Sequence, residues 1–131
     1  MKKILIVDDE QDIVETLKFV LEEQEYDCYC AFDGEEGLKI IKEGTLKYDL
    51  IILDLIMPKK DGLAVLKDLK LNDITTNVIV ATSYNAPDTI RKVSEYGVNY
   101  YILKPFDLPD LEDKILDSFN TSEKRVINIF N

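Results

Sequence analysis

Short apolar runs alternate with longer amphipathic stretches five times along this 131-residue chain. The apolar runs are too short for helices and are typical of buried strands. The run Leu50–Leu53 is apolar at every position, as a central strand of a parallel sheet is. The predicted strands are Ile4–Val7, Cys28–Phe32, Leu50–Leu53, Val78–Ala81 and Tyr100–Leu103.

The stretches between these runs carry apolar residues at helical spacing, every three or four positions. The first helix is predicted over Gln11–Gln24, with Asp9 placed to cap it. Asp33 opens the second helix, which ends at Gly44. The remaining helices are predicted through residues 63–69, from residue 85 to near 97, and over Pro109–Phe119.

This alternation predicts an α/β protein: a single-domain, doubly wound, five-stranded parallel sheet with helices on both faces. The domain is predicted over residues 1–119. Residues 120–131 are predicted to be a C-terminal tail or the start of a linker or output domain. Their apolar positions have no obvious place in a five-stranded sheet and could pack back on the domain; they are Val126, Ile127, Ile129 and Phe130.

Composition narrows the possible functions. The chain has 26 acidic and 16 basic residues, a net charge of −10, which argues against direct nucleic-acid binding and against anionic membranes. It has no histidine, and so no imidazole base, no His-ligated zinc and no histidine phosphodonor.

Cys28 and Cys30 lie two residues apart on a predicted strand and share one of its faces, a poor arrangement for a disulfide. The apolar run after Met1 is too short for a signal peptide or membrane span, so a cytoplasmic location is expected.

Polar residues follow the predicted strands at the edge where open parallel sheets bind ligands. Asp8 and Asp9 follow the first strand, Asp54 the third, Thr82 the fourth and Lys104 the fifth. If the first and third strands are neighbours, three carboxylates converge, and their repulsion favours a bound cation. An oxygen-only site of this kind suits Mg²⁺.

Each of these residues also has an ordinary structural role. Asp8 and Asp9 fit a turn and a helix cap, and Asp54 fits a turn. Thr82 could bond to neighbouring backbone, and Lys104 could be a solvated surface charge. Their joint placement on one sheet edge favours a functional site.

The motifs, in this order and spacing, resemble the receiver domain of bacterial two-component response regulators, from Lys2 to about Phe119. Within that family the chain looks most like sporulation-type transcription regulators. The resemblance implies the flavodoxin-like strand order 2-1-3-4-5, for which the family is itself a standard example. The motifs that carry it are Ile4–Glu10, Asp54–Pro58 with Gly62, Thr82, and Tyr101–Phe106.

The resemblance also implies roles for the site residues. Asp54 would be the phosphoacceptor. Asp9 would ligate Mg²⁺ directly, Asp8 mainly through water, and Ile56 through its backbone carbonyl. Lys104 and Mg²⁺ would neutralise charge on the transferred group. The donor would be a phosphohistidine of a sensor histidine kinase or a histidine phosphotransfer protein.

A conformational switch is implied as well. The Thr82 hydroxyl would move toward the phosphoryl group and Tyr101 would turn from outward to inward, altering the surface of the fourth helix, fifth strand and fifth helix. A phosphorylation-dependent homodimer through that surface would fit the same switch. The bond between Lys104 and Pro105 is expected to be cis.

Two positions, each two residues after Asp54 or Thr82, bear on the lifetime of the phosphoryl group. Ile56 and Tyr84 cannot orient a hydrolytic water as an amide or carboxylate can, so slow self-dephosphorylation is expected rather than enzymatic turnover. A Mg²⁺-dependent aspartyl phosphatase is the alternative, but such enzymes usually need an acid where Ile56 stands. A degenerate receiver that serves only as an interaction module is a third reading, against which the retained acidic residues and lysine argue.

Overall fold

The computed structural model describes residues 1–120 and 129–130 of the chain. The strands are β1 (Lys3–Val7), β2 (Asp27–Ala31), β3 (Leu50–Leu53), β4 (Asn77–Thr82), β5 (Tyr100–Leu103) and β6 (Ile129–Phe130). The helices are α1 (Gln11–Glu23), α2 (Gly34–Glu43), α3 (Gly62–Leu71), α4 (Pro87–Glu95) and α5 (Leu108–Phe119). Every helix within residues 1–120 is too short or too polar to cross a lipid bilayer.

The strands form one sheet in the order β2-β1-β3-β4-β5-β6, and every neighbouring pair is parallel. The predicted α/β class and the order 2-1-3-4-5 of the first five strands are confirmed. The sequence did not place β6, which pairs with β5 at the edge of the sheet. Of the apolar positions noted in the C-terminal segment, Val126 and Ile127 lie outside the described residues.

The register of β1 against β3 sets the relative positions of the residues that follow the two strands. Val7 lies opposite Leu53, and the Asp54 N–H donates to the Val7 carbonyl over 2.9 Å. The Asp8 N–H donates to the Ala31 carbonyl of β2 over 3.1 Å. Asp8 and Asp54 are therefore the first residues beyond two adjacent strands, side by side.

The core lies on both faces of the sheet. Alternate strand residues such as Leu5 and Leu53 pack on the side of α2, α3 and α4. Their neighbours, such as Ile6 and Ile52, pack on the side of α1 and α5. Because successive side chains of a strand point to opposite faces, a sheet covered on both faces needs the uninterrupted apolar runs that the sequence shows.

Helix ends follow the predicted signals at α2 but not at α1. Asp33 caps α2 by accepting from the Glu36 N–H over 2.8 Å, and Gly44 ends it with φ 66°. The prediction that Asp9 caps α1 is wrong: the N-cap is Glu10, without a side-chain cap. The Asp8 carboxylate occupies this turn instead and accepts from the Glu10 N–H over 2.9 Å.

Both cysteines are free, and both lie on β2. Cys28 is buried, and burial raises the pKa of its thiol to about 12. A disulfide between them was not expected, since residues two apart on a strand are poorly placed to bridge.

Candidate functional site

A lysine ammonium lies among three carboxylates at the carboxyl edge of the sheet. Lys104 Nζ is 2.7 Å from Asp8 Oδ2, 3.0 Å from Asp54 Oδ2 and 2.8 Å from Glu10 Oε1. The side chains of Lys104, Asp8 and Asp54 are 8%, 6% and 6% exposed, whereas Glu10 is 54% exposed. The site thus has a buried ion-paired centre and an acidic residue at its rim.

The backbone around Lys104 fixes the direction of its side chain. The Lys104 N–H donates to the Thr82 carbonyl over 2.9 Å, which ties the end of β5 to the end of β4. The Lys104–Pro105 peptide bond is cis. From this anchored position the side chain crosses the ends of β3 and β1.

Burial and ion pairing shift the pKa values of Asp8 and Lys104 in opposite directions. Burial raises the pKa of Asp8, and hydrogen bonds from Lys104 and from the Glu10 backbone offset this only in part. Burial alone would lower the pKa of Lys104, but hydrogen bonds to Asp8, Glu10 and Asp54 outweigh it and raise that pKa above its usual value. The lysine is therefore a permanent cation at neutral pH.

The acidic cluster could hold a metal ion. One carboxylate oxygen each from Asp8, Glu10 and Asp54 lies within 4.8 Å of the others. These are hard oxygen ligands, of the kind that divalent cations such as Mg²⁺ prefer. One ammonium among three carboxylates leaves an excess of negative charge that a cation would compensate.

The structure brings Glu10, rather than Asp9, to this cluster. Asp9 is exposed and is not among the carboxylates that converge in this arrangement. Residues two apart share a face of an extended segment, which places Asp8 and Glu10 together and turns Asp9 away. Glu10 is the third acidic residue in a row, and this run is the sequence signal for its place in the cluster. A direct contact of Asp9 with a cation stays a prediction.

Thr82 has the structural role described above, a hydrogen bond to neighbouring backbone. It is fully buried, and its Oγ1 accepts from the Tyr84 N–H over 3.3 Å. Any movement of this hydroxyl toward Asp54 would have to break that bond.

Tyr101 points inward, so the expected outward starting position is not the one that the structure shows. Its side chain is fully buried, and its hydroxyl donates to the Tyr84 carbonyl. Burial, with a smaller effect of the Asp54 charge, raises the pKa of Tyr101 to about 12. Apolar burial of the ring and this hydrogen bond together account for the inward position.

The two positions expected to tune phosphoryl lifetime lie at the rim of the site. Ile56 is 53% exposed and Tyr84 is 43% exposed. The Ile56 N–H donates to Asp54 Oδ1 over 3.2 Å, so this residue also orients the Asp54 carboxylate. A ligand role for the Ile56 carbonyl stays a prediction.

Gly62 lies directly behind Asp54. A Cβ at this position would be 2.4 Å from the Asp54 carbonyl oxygen and 2.7 Å from Leu55 Cα. The Gly62 N–H donates to the Leu55 carbonyl over 2.9 Å, which closes the loop after β3. The close approach of the two backbones requires glycine and holds Asp54 at the end of its strand.

An acidic cluster with a buried lysine, at the carboxyl edge of a 2-1-3-4-5 parallel sheet, defines a receiver-type α/β domain. The family model described as "Response regulator receiver domain" matches residues 4–116, and the chain belongs to this family.

Curated relatives agree with this assignment. The chain is 40% identical over 117 residues to the response regulator ArlR of Staphylococcus saprophyticus, a match that covers 88% of this chain and 51% of that protein. It is 38% identical over 122 residues to the alkaline phosphatase synthesis transcriptional regulatory protein PhoP of Bacillus subtilis, covering 93% and 50%. The chain therefore spans about half the length of these relatives. The expected likeness to transcription regulators is confirmed.

Solved structures show the same fold. A CheY-like receiver domain of Methanospirillum hungatei superposes with a TM-score of 0.86 at 30% identity, covering 93% of this chain and 96% of that one. The response regulator TrrA of Thermotoga maritima, solved in complex with Mg²⁺ and BeF, superposes with a TM-score of 0.78 at 36% identity, covering 90% and 99%.

Proposed function

We propose that the chain receives a phosphoryl group on Asp54 from a phosphohistidine of a sensor histidine kinase or a histidine phosphotransfer protein. The observation that carries this proposal is the Asp54 carboxylate, buried at the strand end and 3.0 Å from the Lys104 ammonium. The chain has no histidine of its own, so the donor is a separate protein or segment. Membership of the receiver family supports the same reaction.

The contacts of Asp54 suit a nucleophile. Its Oδ1 accepts from the Ile56 N–H, and its Oδ2 accepts from Lys104, so the carboxylate is held in one orientation. Attack of a carboxylate oxygen on phosphorus forms an acyl phosphate and releases the imidazole of the donor. Lys104 stays charged throughout and can follow the new negative charge onto the phosphoryl oxygens.

Magnesium is the proposed cofactor. Asp8, Glu10 and Asp54 offer the converging oxygens, and Asp9 and the Ile56 carbonyl complete the donor set expected from the resemblance. When bound, Mg²⁺ would compensate charge on the transferring phosphoryl oxygens. Titration with Mg²⁺, monitored at the backbone amides of residues 8–10, would locate the ligands.

The proposed output is a change of the surface formed by α4, β5 and α5. Thr82 would give up its bond to the Tyr84 N–H for a phosphoryl oxygen, with Tyr101 held inward behind it. The relatives named above support transcription as the controlled process. Dimerisation through this surface on phosphorylation and a cytoplasmic location belong to the same proposal.

Asp54→Asn is expected to abolish phosphorylation. The full chain is incubated with acetyl phosphate and Mg²⁺, and its intact mass is measured. The parent should gain one phosphoryl group and Asp54→Asn none, because the amide is not a nucleophile toward phosphorus. Asp88→Asn is the matched control, since Asp88 is exposed on α4, and it should be modified like the parent. Modification of Asp54→Asn to the parent level would refute the assignment, and repeated turnover of phosphoesters would favour a phosphatase.

The phosphorylated chain is expected to lose its phosphoryl group slowly. The side chains of Ile56 and Tyr84 lie at the rim and carry no amide or carboxylate to orient water toward phosphorus. Decay of the intact-mass shift after removal of donor measures the rate. Ile56→Asn should shorten the lifetime, whereas Ile56→Val should preserve it. Loss from the parent within seconds would contradict the expectation.

A further inference from the structure

The first turn of α2 lies against the loop that follows Asp54, outside the carboxylate cluster described above. Gly34 is the first residue of α2, and it is buried. A Cβ at this position would overlap the Lys60 carbonyl oxygen and would lie 2.8 Å from the Lys60 carbonyl carbon and 3.0 Å from Val65 Cγ2. The backbones of α2 and of the loop after β3 therefore touch directly, with no side chain between them.

The position of Gly34 at the start of a helix makes this contact favourable as well as close. Asp33 is the N-cap of α2, so the Lys60 carbonyl lies at the end of the helix that carries unpaired N–H groups and the positive end of the helix dipole. The carbonyl oxygen is the negative end of its own peptide dipole. Close contacts of the Cα–H···O type recur where backbones pack in this way. Only glycine lets the oxygen come this near.

Lys60 is held from three directions. Its N–H donates to the Pro58 carbonyl over 2.8 Å, and its carbonyl lies against Gly34. Its ammonium contacts the carboxylate of Asp68 on α3, and these two side chains are 32% and 25% exposed. The loop therefore cannot shift at residue 60 without losing contacts to two helices.

The loop held at Lys60 is the one that orients the proposed phosphoacceptor. It is closed at its ends by the bond from the Gly62 N–H to the Leu55 carbonyl. Within it, the Ile56 N–H donates to Asp54 Oδ1. Because the closed loop is short, a displacement at residue 60 is transmitted to residue 56 and changes the direction of the Asp54 carboxylate.

We propose that Gly34 is a positioning residue for phosphorylation: the first turn of α2 braces the loop at residues 55–62 and so fixes the orientation of the Asp54 carboxylate. The inference rests on the proposed phosphorylation of Asp54. Gly34 acts through Lys60 rather than by contact with the carboxylate. The nearby ion pair of Lys59 with Asp33 contributes little, since Lys59 is 65% exposed and its Nζ lies 3.7 Å from the carboxylate.

The rate of phosphorylation of Gly34→Ala tests the brace. The full chain is incubated with acetyl phosphate and Mg²⁺ at a temperature where circular dichroism shows the variants folded, and the initial gain of intact mass is followed. Gly34→Ala is expected to react roughly tenfold more slowly than the parent, because misplacement of a reacting group by about 1 Å can cost up to about 100-fold.

Gly37→Ala is the matched control for this substitution. Gly37 is also buried in α2, but an added Cβ would lie 2.9 Å from Val7 Cγ1, a side-chain atom of β1. Its cost falls on the packing of α2 against the sheet and not on the loop, so its rate should stay within about twofold of the parent. Equal rates for Gly34→Ala and Gly37→Ala would overturn the proposal.

Amide hydrogen exchange without a phosphodonor separates the brace from a general loss of stability. Gly34→Ala is expected to speed exchange at the Gly62 N–H roughly fivefold relative to the amides of residues 51–52 in β3, whereas Gly37→Ala should change both alike. Uniform acceleration in Gly34→Ala, in a chain that is phosphorylated normally as the parent, would overturn the brace alone. A parent that takes up no phosphoryl group would overturn the proposed function instead.

Lys60→Met keeps the proposal testable if Gly34→Ala does not fold. It removes the contact with Asp68 without adding an atom near Gly34, and it is expected to slow phosphorylation roughly threefold. Lys60→Arg retains a cation that bonds to Asp68 and should recover the parent rate. Lys67→Met is the control, because Lys67 is exposed on α3 and the change in charge is the same. Equal rates for Lys60→Met and Lys67→Met would overturn bracing through Lys60.

Discussion

Lys104→Met is expected to lower the free energy of unfolding by about 3 kcal/mol in the absence of divalent cations. The ammonium is the partner that Asp8 and Asp54 share, and both carboxylates are 6% exposed. Once it is removed, the two buried carboxylates lie close together without a neutralising cation. They cannot move apart, because the Asp54 N–H is bonded to the Val7 carbonyl and holds the two strand ends together. Glu10 contributes less, since it is 54% exposed and can turn to solvent.

Urea denaturation with and without Mg²⁺ measures this effect and separates its causes. Saturating Mg²⁺ should restore part of the stability of Lys104→Met, because a bound cation replaces the lost positive charge and binds the folded state selectively. The control is Lys59→Met: its ammonium is 65% exposed and 3.7 Å from Asp33, so its loss should change stability by less than about 0.5 kcal/mol. Equal stability of Lys104→Met and Lys59→Met would contradict the account of the site given above.

Gly62→Ala is expected to destabilise the fold by about 3 kcal/mol and to slow phosphorylation of Asp54. The added methyl group would lie 2.4 Å from the Asp54 carbonyl oxygen and 2.7 Å from Leu55 Cα. Both atoms belong to the backbone, so no side chain can rotate away, and the loop after β3 must shift. That shift moves the Asp54 carboxylate, the proposed phosphoacceptor, relative to Lys104.

Gly44→Ala is the matched control for this substitution. Gly44 ends α2 with φ 66°, and the nearest atom to an added Cβ is 3.9 Å away. Its cost is therefore conformational alone, about 1 kcal/mol. Thermal or urea denaturation compares the two variants, and intact-mass phosphorylation is measured where circular dichroism shows both folded. A larger loss for Gly44→Ala, or undiminished phosphorylation of Gly62→Ala, would contradict the proposed role of the close backbone approach.

The sequence predicted the elements and much of the site for identifiable physical reasons. A sheet buried on both faces demands uninterrupted apolar strands, so runs such as Leu50–Leu53 are unambiguous. The carboxyl ends of parallel strands share one edge, which is why Asp8, Asp54 and Lys104 could be placed together before any coordinates. The order of the strands came from the family resemblance, since apolar pattern alone does not distinguish one doubly wound order from another.

What the sequence could not predict depends on single turns and rotamers. Whether Asp9 or Glu10 faces the cluster is decided by one peptide unit between β1 and α1, where strand periodicity ends. The inward position of Tyr101 depends on a hydrogen bond to the backbone of Tyr84, which has no sequence signal. The strand β6 has only two residues, too few for an alternating pattern to repeat and reveal it.

The pairing of Val7 with Leu53 has a consequence for assembly of the protein. A slip of β3 by one residue against β1 would exchange the faces of every β3 side chain and carry the Asp54 carboxylate away from Asp8 and Lys104. On the proposed function, only the correctly registered sheet would accept a phosphoryl group. Phosphorylation of Asp54 would then report correct folding, because a chain with the wrong register would not be modified.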